Sequence, residues 1–165
     1  MHYNRAMVND EYVAKVAERL SQTDSKREQE MKDSLRKAEL LKHAGPNFWR
    51  DLENSLLNAV ERIRQISPSL KVYPGRYGEL TLSLAVGSNA HFRDLGISLD
   101  SSSYQINYFI KDQRGTFLPD IVGEELRYID ITIDWEKAFT QSSRPPLPMA
   151  VDDVVKRLID IISEA

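Results

Sequence analysis

PNFWRDLENSLLNAVERIRQISPSLKVYPGRYGELTLSLAV, residues 46–86, changes its hydrophobic period part-way through, and that change decides the fold. In its first half Trp49, Leu52, Leu56, Val60 and Ile63 recur at steps of three and four, with Phe48, Leu57 and Ile66 widening the stripe. Arg50, Asp51, Glu53, Asn54, Asn58, Glu61, Arg62 and Arg64 fill the other face. One apolar stripe of this width predicts a core helix of about 20 residues, roughly 30 Å long. Ser67-Pro68 should stop it. Beyond Pro68 the period becomes two: Leu80, Leu82, Leu84 and Val86 alternate with Thr81, Ser83 and Ala85. Alternation of that kind predicts a strand with one buried and one wet face.

The same alternation continues downstream. Leu70 and Val72 give a short first strand, ended by Pro74-Gly75. Leu95, Ile97 and Leu99 give another, as do Tyr104, Ile106, Tyr108 and Ile110, and then Ile129, Ile131 and Ile133. Thr116 to Ile121 adds a further candidate, with Pro119 pointing to an edge or an irregular crossing. Gly87-Ser88-Asn89, Asp100 to Ser103 and Asp112 to Gly115 are the expected turns. Strands joined by short turns are antiparallel neighbours. After Arg144-Pro-Pro-Leu-Pro148, the residues Val151, Val154, Val155, Leu158, Ile159, Ile161 and Ile162 predict a second covering helix over 149–164, with Asp152 and Asp153 at its positive end.

Upstream of Gly45-Pro46, residues 10–43 lack Gly and Pro and are rich in strong helix formers. Their apolar stripe is thin: Val13, Val16, Leu20, then Met31, Leu35, Ala38 and Leu40 or Leu41. Ser21 to Glu30 holds no apolar residue, so one long helix with a polar middle and two helices with a fresh cap near Ser25 are both open. Gly45-Pro46 reads as the end of one helix and the first turn of the next. The expected fold is therefore α+β, a two-layer sandwich. An antiparallel sheet of four to six strands carries helices 46–66 and 149–164 on one face, and an N-terminal helical arm, 1–45, precedes the domain 46–165.

Composition bounds the function. The chain has 165 residues, no cysteine and a net charge of −3. A disulfide scaffold, a thiolate zinc site and a cysteine nucleophile are excluded. No apolar run approaches the roughly 20 residues of a membrane span, and Met1 to Asp10 shows no secretory h-region, which leads us to expect a cytoplasmic protein without a membrane partner. Phosphate-binding glycine motifs and a G-x-S-x-G elbow are absent. No cofactor, metal or catalytic residue is expected.

The residues that could still carry chemistry are few. His91 and Asp94 form a His-x-x-Asp pair that could hold a metal or act as base and orienter. Asp120, Glu124 and Glu125 cluster after Pro119 and could hold a cation. Asp130 and Asp134 share a strand face, roughly 13 Å apart, too far for a working carboxylate pair. Lys26, Arg27, Lys32, Arg36, Lys37 and Lys42 are interleaved with acids, the pattern of a solvated helix more than of a nucleic-acid footprint. The wet sheet face, with Thr81, Ser83, Gly96, Ser98, Gln105, Asn107, Asp130, Thr132 and Asp134, is a flat polar surface. Arg144 to Pro148 has the form of a polyproline ligand or of a stiff connector. The feature carrying most weight is the seam Met31, Leu35, Ala38 and Leu41, because a polar helix this long is marginal in water unless something packs on it. The preferred expectation is a non-catalytic interaction or assembly module that uses the arm to bind a second copy or another protein. A small-ligand binder or enzyme with a site between sheet and helices comes second, and nucleic-acid binding through the arm third.

The element order, with Trp49-Arg-Asp-Leu52 on its core helix, strands from Leu70 to Asp134 and a final helix Val151 to Ile162, resembles a broad set of uncharacterised bacterial helix/antiparallel-sheet/helix proteins. The resemblance covers about the last 120 residues. It implies the architecture, and its motifs are core positions that transfer no functional residue.

Overall fold

The computed structural model describes residues 8–87, 91–131 and 147–164. It is an α+β two-layer arrangement: a long helix α1 (Asp10–Arg64), six strands, and a closing helix α2 (Val151–Glu164). The strands are β1 (Leu70–Pro74), β2 (Glu79–Val86), β3 (His91–Leu99), β4 (Ile106–Ile110), β5 (Gln113–Val122) and β6 (Glu125–Asp130), and their order in the open sheet is their order in the chain, every pair antiparallel. Two compact units divide the chain, Met1–Glu39 and Leu40–Ala165.

In the second unit the core is one cluster. Phe48, Trp49, Leu52, Leu56 and Val60 come from α1, alternate residues from the strands, and Val154, Val155, Leu158, Ile161 and Ile162 from α2. Both helices thus bury their stripes with the same sheet face. Polar contacts fix α2 at each end. Ser55 Oγ donates to Asp152 Oδ1 at 2.9 Å, and Arg93 Nη1 donates to the carbonyl of Ile162 at 2.9 Å. The last turn of α2 has no basic residue of its own, so this arginine from the sheet supplies the cation that a helix C-terminus favours. Met149 forms a single antiparallel bridge to Tyr128 of β6.

Four sequence expectations are corrected here. Gly45-Pro46 does not end one helix and start another but lies inside α1, and of the two readings open for 21–30 the one long helix with a polar middle is the one found. Proline inside a helix costs about 3 kcal/mol and glycine about 1. Leu52, Leu56 and Val60 lie just downstream and almost wholly buried, each stabilising by about 1.5–3 kcal/mol, so packing outweighs the propensity. Gly45 serves a close approach: a Cβ there would lie 2.5 Å from Cδ1 of Tyr104. The β4–β5 turn is Lys111-Asp112, with Lys111 in the left-handed region, and Gln113 to Gly115 belong to β5. Pro119 is in an interior strand, but β4 ends opposite Phe117, so that part of β5 has β6 as its ladder partner. Finally, β6 has the opposite phase to the one its isoleucines suggest. Leu126 and Tyr128 are buried, and Asp130 follows them onto the helix-covered face, where it accepts from Arg157 Nε at 2.9 Å. Burial works against the Arg157 charge, but Asp130 outweighs it and holds that guanidinium above its usual range.

The loop between β3 and β4 is tied down. Asp100 accepts from the backbone N–H groups of Ser102 and Ser103 and from the Ser102 hydroxyl. These bonds hold its carboxyl below the usual carboxylate range, the Ser102 hydroxyl contributing most. Tyr104 has φ of 58°, and its carbonyl accepts from the Tyr128 hydroxyl at 2.7 Å. Burial pushes that phenol up, so it stays a donor throughout the usual pH range. Tyr128→Phe removes the bond and is expected to cost about 1–2 kcal/mol in urea denaturation. A variant as stable as the parent would show that the bond does not hold the loop.

Candidate functional site

β-Strand geometry separates the histidine from its carboxylate. His91 and Asp94 are both in β3, three residues apart, and odd spacing puts their side chains on opposite sheet faces. The acidic group is a hairpin rather than a loop. Asp120 is in β5, Glu125 in β6, and Gly123-Glu124 is the two-residue turn, with Gly123 at φ 67°. Glu125 is paired with Arg127, and Arg127 is the cross-strand partner of Asp120. The local charge is therefore partly neutralised. Among the described residues no three His, Asp or Glu side chains converge as a metal site would require.

The open sheet face differs from its sequence reading. Ser83 is buried, and Gly96 lies under the ring of Phe109, whose Cε1 and Cζ are 2.4 Å from where a Cβ would stand. Thr116 donates to Asn107 Oδ1 at 2.9 Å on the same face. Tyr73, Phe92 and Phe109 project from it, more than half exposed. Asp130 faces the other way, as described above. Ser88, Asn89, Thr132, Ile133, Asp134 and residues 144–146 lie outside the described residues.

The N-terminal unit is built on the first half of α1. Asn9 starts it, accepting the N–H of Tyr12 on Oδ1 at 2.7 Å, and Asp10 and Glu11 sit at the positive end of the dipole. Asp33 holds Arg36 and Lys37 at 3.3 and 3.6 Å along one flank. Pairs this exposed stabilise a helix by only about 0.3–0.5 kcal/mol each. The apolar stripe is open: Val13 is 53% exposed, Leu20 59%, Met31 67% and Leu35 63%. Ala38 is exposed as well. Leu41, the fourth member of the expected seam, lies in the second unit and packs against its core cluster, so it leaves the set.

The chain matches no family model, no curated protein and no solved structure. Sequence reading placed Val13, Val16 and Leu20 on the same thin stripe as Met31, Leu35 and Ala38, but took only Met31, Leu35, Ala38 and Leu41 as the docking seam. Their shared spacing carried the signal, and the ten polar residues between the two groups obscured it. No helix among the described residues is long and apolar enough to cross a membrane.

Proposed function

We propose that the chain is a non-catalytic protein-interaction module whose docking element is the N-terminal half of α1, residues 10–39. One observation carries this reading: a helix of this length keeps Val13, Leu20, Met31 and Leu35 more than half exposed. Most helical stability in proteins comes from packing of an apolar face, and this half of α1 has only propagation from the packed half to hold it. Covering each of those side chains adds up to about 1–2 kcal/mol, enough to make the bound helix the stable state. The second unit already has its own buried core, so the stripe is not required to complete it. A cysteine-free chain that works by association suits a cytoplasmic setting.

Amide hydrogen exchange on the full chain, in dilute solution, tests the reading. Amides of residues 10–39 should exchange at least a hundredfold faster than those of Leu82, Leu95 and Leu56. Protection equal to that of the core in a dilute monomer would mean that the segment is stable without a partner, and the reading would fail.

A further inference from the structure

The seam of the N-terminal segment is continuous once its polar middle is included. Val13, Val16, Leu20, Asp24, Arg27, Met31, Leu35 and Ala38 follow one another in steps of 3, 4, 4, 3, 4, 4 and 3 residues. Steps of this kind keep all eight on one side of a helix, over about 38 Å. The repeat is eleven residues, which favours a nearly straight or slightly right-handed pairing.

The seam is also symmetric about its centre. A two-fold axis between Ser25 and Lys26 carries Val13 onto Ala38, Val16 onto Leu35, Leu20 onto Met31, and Asp24 onto Arg27. The apolar pairs match apolar with apolar. The central pair matches an acid with a base. Among the described residues Asp24 and Arg27 form no ion pair within their own chain, although their spacing would permit one. The same axis relates Lys15 to Arg36 and Arg19 to Lys32, but those residues lie more than 100° around the helix from the seam, where like charges meet water. A parallel pairing would set Asp24 against Asp24 and Arg27 against Arg27, a juxtaposition of like charges in the middle of the contact.

Resting on the reading above, we propose that the partner is a second copy of this chain, bound antiparallel through residues 13–38 with each Asp24 against the other copy's Arg27. The self-complementary pattern is what a two-fold interface demands of a single surface. The seam has only three apolar layers on each side of its centre, so the dimer dissociates on dilution.

The test uses the full chain. Light scattering behind size-exclusion chromatography, across a range of concentrations, should show a reversible monomer–dimer equilibrium. Asp24→Arg should weaken it at least tenfold, and Asp24→Arg combined with Arg27→Asp should restore it. Because the chain has no cysteine, single variants report orientation cleanly. Leu20→Cys mixed with Met31→Cys should give a disulfide-linked heterodimer on mild oxidation. Leu20→Cys alone should not, since the two copies of position 20 would lie about 16 Å apart, beyond disulfide reach. Crosslinking of Leu20→Cys to itself would overturn the antiparallel arrangement. A monomer at every concentration would overturn the second copy as partner while leaving the hydrogen-exchange test of the docking element untouched. A dimer indifferent to Asp24→Arg would place the contact elsewhere and overturn the proposal.

Discussion

Gly45→Ala should destabilise the second unit by about 2 kcal/mol, lowering its melting temperature by roughly 8 °C. Propensity predicts the opposite sign, since alanine in an exposed helix interior gains about 1 kcal/mol over glycine. The deciding contact is with Tyr104. The new Cβ would sit 2.5 Å from Cδ1 and 2.9 Å from Cε1 and Cγ. Cγ lies at the root of the side chain, so relief requires moving the backbone. That backbone is held at φ 58°, by its N–H to the Asp100 carbonyl at 2.7 Å, and by its own carbonyl to the Tyr128 hydroxyl at 2.7 Å. Gly96→Ala provides the contrast. Its Cβ would approach Phe109 even more closely, at 2.4 Å, but the atoms met are the far end of a ring that is 56% exposed. That ring can swing outward, and the change should stay within about 0.5 kcal/mol. Thermal denaturation of both variants separates the two cases. If Gly45→Ala proved neutral, the loop carrying Tyr104 would not be as fixed as its hydrogen bonds imply.

The legible and illegible parts of this chain divide along physical lines. The period of Trp49 to Ile63, and the alternation of Leu80 to Val86 and Leu95 to Leu99, could be read directly because each records which side of an element is dry. These sufficed for the α+β class and for the helices on one face of the antiparallel sheet. Gly45-Pro46 was misread because a local breaker signal reports cost without reporting what compensates it: here the burial of Leu52, Leu56 and Val60 does so, and the glycine itself is required by the ring of Tyr104, 59 residues on in the chain. The phase of β6 was misread because isoleucine serves equally on a half-open face, while Asp130 became tolerable on the covered face only through Arg157 of α2. Neither partner is visible from local sequence. The site residues show the same limit. Met31, Leu35 and Ala38 were legible as a seam, whereas the separation of His91 from Asp94 depended on knowing that both fall within one strand.

Leu56→Ala should cost about 3–4 kcal/mol, a large share of the stability of any domain of this size. Leu56 is fully buried, between Leu52 and Val60 on the same helix face, so truncation leaves a cavity that rigid neighbours fill only in part. Leu35→Ala makes the identical chemical change in the same helix. Leucine and alanine differ little in helix propensity, so that term is small and common to both. Leu35 is 63% exposed, and its loss in a dilute monomer should change stability by no more than about 0.5 kcal/mol. Urea denaturation of the pair therefore isolates burial from helix formation. It also bears on function, because a side chain that contributes almost nothing to the monomer yet weakens association is one that the monomer leaves for a partner. Should Leu35→Ala cost as much as Leu56→Ala at low concentration, the N-terminal half of α1 would already be covered, and an interaction role for it would have no exposed surface to act through.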